Sequence, residues 1–184
     1  MANGEQTKLT FQRLVADRRI SQWRHESGLQ YWTGWSSRPQ TNLSLVRSLG
    51  ILLFCQQSES RSLVTKDELE TWFPDLFRHG LPAGQYLNRQ STAVRLGHIR
   101  VDAGQSKISR LVARTDRLVH KYRQQSGFRQ LIDNGQFELT WIVPTLPKQY
   151  RLIQALKVIA GSGVHLRVCA IPELLNVIAP IKVG

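Results

Sequence analysis

The sequence predicts an α/β protein in which a helical amino-terminal part precedes a small domain built on a parallel sheet. Between residues 94 and 178, apolar stretches that suit strands alternate with amphipathic stretches that suit helices. The order strand, helix, strand, helix, strand implies parallel pairing through right-handed crossovers. The length of 184 residues and the hydrophobic fraction of 41% are sufficient for one buried core. We expect three parts: an arm over 1–40, a helical part over 41–80 and an α/β domain over 81–184.

The arm over residues 1–40 is basic and aromatic, and it contains three of the five tryptophans. Apolar spacing over 10–23 predicts a short amphipathic helix. The mixture of aromatic residues and glycines that follows predicts an ordered but irregular segment. Packing of the arm on the core is one interpretation, and a stacking platform for unpaired bases is the other. In the second, the charge comes from Arg13, Arg18, Arg19, Arg24 and Arg38.

Two helices are predicted in the helical part. The first is capped by Thr41 or Asn42 and runs to about residue 57, because leucines recur there with helical spacing. A polar turn is predicted over 58–62. Thr65-Lys-Asp-Glu68 has the pattern of a capping box, and the short helix that it begins must end or kink at Pro74.

Two helices joined by a polar turn resemble half of a helix-turn-helix, a motif that presents a helix to the major groove of DNA. Whether residues 75–79 form a third helix is left open. The candidate polar contacts in this part are Arg47, Lys66, Arg78 and His79.

The α/β domain begins after the loop Gly80-Leu-Pro-Ala-Gly84, which marks the expected boundary inside the chain. Strands are predicted over 94–101, 137–143 and 166–171. Helices are predicted over 106–125, 128–135, 146–160 and 172–178.

The net charge is +12, because 25 lysines and arginines are opposed by only 13 aspartates and glutamates. An excess of this size favours a polyanionic partner, whether nucleic acid, an anionic membrane surface or an acidic protein. Most of the basic residues are arginines, whose forked geometry suits phosphate. A basic but inert surface is the alternative.

The predicted helix over 106–125 carries a row of five basic residues beside its apolar face. We call this row the basic stripe: Lys107, Arg110, Arg114, Arg117 and Lys121. At about 100° per residue the stripe is about 80° wide, and it extends for about 20 Å along the helix. That length is commensurate with several phosphates of one duplex strand. A solvated helix face whose arginine stems cover apolar surface is the alternative interpretation.

A second candidate phosphate site lies where the strand over 137–143 gives way to a helix. Helix amino termini attract anions, and ligands of open α/β sheets bind at the carboxyl ends of strands. Thr145, Lys148 and Arg151 are the residues placed there. Capping and solubilisation of the helix is the alternative role for them.

The sequence predicts no catalytic site, no metal site and no cofactor. A metal-dependent nuclease needs clustered carboxylates, whereas Asp102 and Glu138 are single acidic residues on their strands. Cys55 and Cys169 lie far apart in apolar runs, which suits reduced, buried side chains. The absence of a signal peptide and of a long apolar stretch predicts a cytoplasmic protein without membrane contact. The histidines are scattered, at His25, His79, His98, His120 and His165.

Three segments resemble the carboxyl half of the replication-relaxation family and of related accessory proteins of plasmids and integrative conjugative elements. They are His98-Ile-Arg-Val-Asp-Ala-Gly104, Lys121-Tyr-Arg123, and Phe137-Glu-Leu-Thr-Trp-Ile-Val-Pro-Thr145 with Lys148 and Arg151. The resemblance covers about residues 81–178. It implies a winged helix followed by a degenerate restriction-endonuclease-like domain. Family members tend to carry an acidic residue where this chain has Arg100, which argues against nuclease activity and makes Asp102 a structural residue.

We therefore expect a non-enzymatic DNA-binding protein of a mobile genetic element that prefers duplex to single-stranded DNA. It would assemble a DNA-processing complex at a transfer or replication origin, or regulate transcription. A homodimer and protein partners in such a complex are left open. The alternatives are a metal-dependent nuclease with a divergent site and an adaptor that binds an acidic protein.

Overall fold

The computed structural model describes residues 12–34, 38–77, 84–89 and 94–178. Within these ranges the chain forms a two-stranded hairpin and a five-stranded mixed sheet, which confirms the α/β class. The strands are β1 (Ile20–Arg24), β2 (Gln30–Gly34), β3 (Arg61–Leu63), β4 (Gln85–Asn88), β5 (Arg95–Val101), β6 (Phe137–Val143) and β7 (His165–Ala170). After the arm, the α-helices are α1 (Asn42–Gln56), α2 (Lys66–Trp72), α3 (Ile108–Arg123), α4 (Ser126–Asp133), α5 (Leu146–Leu156) and α6 (Leu175–Ile178).

The amino-terminal arm forms a hairpin, so the predicted irregular segment is wrong. The helix expected over 10–23 covers only 12–16 among the described residues. Arg18 has φ 54°, a left-handed conformation that ends the helix. Trp23 then lies opposite Tyr31 in the antiparallel pair of β1 and β2. Cross-strand aromatic pairs stabilise sheets, which explains why the second half of the segment is a strand.

Both helices of the helical part are confirmed, with the caps that the sequence predicts. The Thr41 side chain caps α1 by accepting a hydrogen bond from the Ser44 amide at 3.3 Å. Thr65 and Glu68 form the capping box at the start of α2, and this helix ends before Pro74. Because β3 lies between the two helices, the polar turn predicted over 58–62 is wrong from Arg61 onward.

The main sheet has the strand order β3-β4-β5-β6-β7. The strands β5, β6 and β7 are parallel, as predicted, whereas β3, β4 and β5 pair in antiparallel fashion. The expectation of a purely parallel sheet is therefore wrong. The two additional strands have three and four residues, too few to show an alternating pattern in the sequence.

Helices cover both faces of the sheet, and the alternation of side chains along each strand divides the core between them. On one face, Phe54 of α1 packs with Ile99 and Ile142. On the other face, Leu111 of α3 packs with Trp141. The strand β6 is buried along its whole length, which identifies it as the centre of the core.

The predicted helices of the α/β domain are confirmed with small shifts at their ends. The helix α4 begins two residues earlier than expected, and a 3₁₀ turn over Lys157–Ser162 completes the segment that α5 begins. None of the helices in the described ranges is long and apolar enough to cross a bilayer.

Candidate nucleic-acid interface

Packing of α3 on the sheet determines which of its flanks faces solvent. Leu111, Thr115, Val119 and Tyr122 are buried against the sheet. The indole Nε1 of Trp141 in β6 donates to Thr115 Oγ1 at 2.8 Å, which fixes the rotation of the helix about its axis. The basic stripe therefore lies along one flank of a helix that is rigidly anchored.

The basic stripe is solvent-accessible over most of its length. Arg110, Arg117 and Lys121 of α3 are exposed, as is Lys107 at the N-cap position, and Arg114 is half-buried. At 100° per residue, Ile108, Val112 and Asp116 fall on the opposite flank, and these three residues line a groove between α3 and α5. The stripe thus borders the side of α3 that faces away from α5.

No carboxylate in the described part of the chain forms an ion pair with the stripe. Asp116, the single acidic residue of α3, belongs to the other flank. Within the stripe, Arg117 Nε donates to the Ala113 carbonyl of the same helix at 3.2 Å. Lys148–Asp102 and Arg167–Glu138 are ion pairs elsewhere among the described residues, and His25 Nε2 lies 4.0 Å from Glu26 Oε1.

The amino terminus of α3 places positive side chains at the positive end of the helix dipole. Lys107 stands at the N-cap without a side-chain cap, and the first turn, which contains Arg110, has no acidic residue. Cations at this end are unfavourable by about 0.3–1 kcal/mol each at low ionic strength. A bound anion would interact favourably both with these side chains and with the helix dipole.

The second candidate phosphate site is occupied by contacts within the chain. Lys148 Nζ lies 2.6 Å from Asp102 Oδ2 and donates to the Gly104 carbonyl at 2.8 Å. Asp102 is buried and also accepts hydrogen bonds from the amides of Gly104 and Ser106. Thr145 caps α5, as in the alternative interpretation. Of the three residues predicted there, only Arg151 is exposed.

The candidate contacts of the helical part lie in different settings. Arg47 is exposed on α1. Lys66 is exposed at the start of α2, where its Nζ lies 5.6 Å from the centre of the Phe77 ring. Arg78 and His79 lie outside the described residues.

The two faces of the hairpin separate the aromatic residues of the arm. Tyr31 packs against the core cluster beneath α1, and Trp23 Nε1 donates to Thr33 Oγ1 at 3.2 Å. Trp32 is on the opposite face with 38% of its surface exposed. Trp35 lies outside the described residues. The packing interpretation of the arm therefore holds for its inner face.

Arg100 is a basic residue near the stripe that the sequence analysis did not count among the binding residues. It follows Leu96 and His98 on the same face of β5 and is half-buried. Burial lowers the pKa of its guanidinium, and the charges of Arg114 and Arg47 lower it further against an opposing effect of Tyr122. The alternation of side chains along a strand predicts that Arg100 shares a face with Leu96 and His98. That this face lies under α3, beside other arginines, follows only from the tertiary structure.

Glu138 is buried beneath α1 in a hydrogen-bonded network. It accepts hydrogen bonds from Tyr86 Oη, from Asn88 Nδ2 at 3.1 Å and from Arg167 Nη2 at 3.4 Å. Burial and the neighbouring carboxylate raise the pKa of Tyr86. These partners give Glu138 a structural role. The described ranges contain no group of three histidine, cysteine or acidic side chains arranged to hold a metal ion.

Comparison with protein-family models, with curated proteins and with solved structures gives no match to this chain.

Proposed function

We propose that this chain is a non-enzymatic nucleic-acid-binding protein that grips the phosphate backbone of duplex DNA with the basic stripe of α3. The observation that carries the proposal is the absence of an ion pair between the stripe and any described carboxylate. Five positive side chains along one flank repel one another in water, and a polyphosphate removes that repulsion.

The regular spacing of the stripe favours a polyphosphate over an acidic protein. Its members recur every three or four residues over about 20 Å, so that they form one continuous row rather than a compact cluster. Three of the five are arginines, which hold phosphate oxygens through two parallel hydrogen bonds. Duplex DNA presents such a row of phosphates along each strand.

Residues outside the stripe extend the proposed surface or are left out of it. Arg47, Lys66, Arg78 and Arg151 stay candidates for additional contacts. Lys148 is left out because Asp102 already neutralises its charge.

The biological part of the proposal rests on the resemblance to accessory proteins of mobile genetic elements. It comprises assembly of a DNA-processing complex at an origin or regulation of transcription, in the cytoplasm, by a monomer or a homodimer. Two helices beside the antiparallel strands β3 and β4 support a winged-helix-like part. A mixed sheet with helices on both faces supports a degenerate restriction-endonuclease-like core.

A pair of variants with equal net charge tests the proposal. The stripe variant changes all five stripe residues to glutamine. The control variant removes the same charge from four exposed residues and one half-buried residue outside every candidate contact, by changing Arg89, Arg95, Arg123, Arg129 and Lys157 to glutamine. Binding to a fluorescent duplex is measured by anisotropy at about 50 mM salt. We expect the stripe variant to bind at least about 100-fold more weakly than the control, since each phosphate contact supports binding of every sequence.

Equal affinity of the two variants would show that overall charge, not the stripe, attracts DNA. Absence of duplex binding by the unmodified chain, with retention of an acidic protein partner, would replace the proposal with the adaptor alternative.

A further inference from the structure

Three arginines come from three different elements that meet at the carboxyl end of β5, and the charges of Arg47 and Arg114 act on the Arg100 guanidinium. Arg47 belongs to α1, which lies on one face of the sheet. Three residues further along α1, a Cβ atom at Gly50 would lie only 3.1 Å from Val101 Cγ1, so that the backbone of α1 directly covers the end of β5. Arg100, the residue before Val101, extends from the opposite face of the same strand.

On that opposite face, α3 brings the third arginine to the same end of β5. Arg100 is the register neighbour of Trp141 in the parallel pair of β5 and β6. Trp141 donates its indole hydrogen to Thr115 Oγ1 of α3 at 2.8 Å, and Arg114 directly precedes Thr115. Arg114 therefore lies on the turn of α3 that packs over the strand pair carrying Arg100 and Trp141. We call Arg47, Arg100 and Arg114 the arginine cluster.

The arginine cluster differs from the stripe in depth. Two of its members, Arg100 and Arg114, are half-buried, whereas Arg47 and the other four members of the stripe are exposed. None of the three arginines forms an ion pair with a carboxylate in the described ranges. A partly desolvated guanidinium beside two like charges is unfavourable unless an anion balances it. Nothing in the described part of the chain supplies that anion.

The charge and the depth of the cluster suit a phosphate monoester better than an internal phosphodiester. A monoester carries about −1.5 to −2 charges at neutral pH and presents three terminal oxygens. A phosphodiester carries one charge, and a sugar on each side limits its approach to a recessed group. A terminal phosphate has a sugar on one side only, so this restriction does not apply to a strand end.

We propose that the arginine cluster binds the terminal phosphate monoester of a nucleic-acid strand, while the stripe holds the adjacent backbone. This inference rests on the proposed function, because the stripe delivers the strand end to the cluster. Binding of the backbone by the stripe does not depend on the strand ends. The cluster would add phosphorylated DNA ends as a further class of ligand.

The test uses the full chain and a DNA hairpin with one duplex end and a fluorophore in its loop. The end carries a 5′-phosphate, a 3′-phosphate or hydroxyl groups only. We expect the unmodified chain to bind a phosphorylated end about tenfold more tightly than the hydroxyl end, the effect of about one charge-assisted contact. Arg100→Gln should reduce this ratio to about one. Arg110→Gln, the matched control on the exposed stripe, should weaken binding to all hairpins and preserve the ratio.

Arg100→Lys, which keeps the positive charge, replaces the glutamine variant if that variant does not fold. It should retain part of the preference for phosphorylated ends over hydroxyl ends. Equal affinity for phosphorylated and hydroxyl ends, with binding still dependent on the stripe, would overturn the cluster proposal and leave the proposed function intact. If no hairpin binds, the proposed function fails, and inorganic phosphate becomes the probe. A rise in melting temperature with phosphate that is larger in the unmodified chain than in Arg100→Lys would support the site. Absence of that rise would overturn it.

Discussion

His98 on β5 shows how the core beneath α3 constrains a single ionisable residue. Its side chain is 1% exposed, and its Nδ1 is hydrogen-bonded to Tyr122 Oη. Burial, together with the nearby charges of Arg100 and Lys121, lowers the pKa of His98 to about 3. The imidazole is therefore neutral in the folded protein at any pH at which the protein would be handled.

This neutral histidine predicts a loss of stability in mild acid. As the pH falls below about 6.5, the unfolded chain takes up a proton on His98, whereas the folded chain does so only near pH 3. The free energy of unfolding should therefore fall, by roughly 2 kcal/mol from this residue between pH 6.5 and pH 4.5. Urea unfolding of the unmodified chain and of His98→Gln at both pH values measures the effect.

The substitution should make the free energy of unfolding less dependent on pH over this range. His165→Gln is the matched control, because His165 is exposed on β7. If His98→Gln and His165→Gln change the pH dependence by the same amount, His98 does not titrate as described.

At the scale of elements, α3 acts as a rigid support for the stripe because one buried hydrogen bond joins it to the central strand. Thr115 is fully buried and accepts from Trp141 Nε1 at 2.8 Å. Its hydroxyl also donates to the Leu111 carbonyl. The contact links the helix to β6 between the two ends of the stripe.

Thr115→Val should destabilise the protein by about 1–3 kcal/mol, because it leaves the buried indole N–H of Trp141 without an acceptor. Chemical denaturation monitored by tryptophan fluorescence measures this loss. Thr71→Val on α2 is the control, since the Thr71 hydroxyl bonds to the Asp67 carbonyl in an exposed helix. A loss in Thr115→Val no larger than in the control would contradict the anchoring role.

The elements that the sequence predicts well are those with a long periodic pattern. The helix α3 shows two parallel rows at helical spacing, so that its apolar and basic flanks were predictable without coordinates. The strands β3 and β4 were not, since Arg61-Ser-Leu63 and Gln85-Tyr-Leu-Asn88 are short and largely polar. Their pairing depends on tertiary contacts, which override local preference.

The candidate site also has one part that a periodic pattern predicts and another part that depends on tertiary contacts. The stripe needs only the helical period and was predicted from sequence. The arginine cluster needs the register of Arg100 with Trp141 and the covering of Val101 by α1, and neither is encoded locally. The prediction of a phosphate site around Lys148 omitted the buried partner Asp102, which lies more than 40 residues earlier in the chain.

At the scale of the whole molecule, the net charge of +12 makes salt concentration the decisive variable. A protein that neutralises phosphates releases condensed counterions, so that its affinity falls as salt rises. The steepness of this fall counts the phosphate contacts, and it is insensitive to the sequence of the DNA. An inert basic surface has no fixed set of phosphate contacts. In that case the salt dependence of the affinity would not change with the position of the charges that are removed.

The most direct test of the stripe is therefore the slope of log affinity against log salt between about 50 and 200 mM for one duplex. We expect a slope of about −4.5 or steeper for the unmodified chain, since each of five phosphate contacts contributes about −0.9 on duplex DNA. The stripe variant should have a slope shallower by about 4.5, and the equally charged control variant should keep most of the slope of the unmodified chain. The same slope in the stripe variant and the unmodified chain would contradict the assignment of the phosphate contacts to α3.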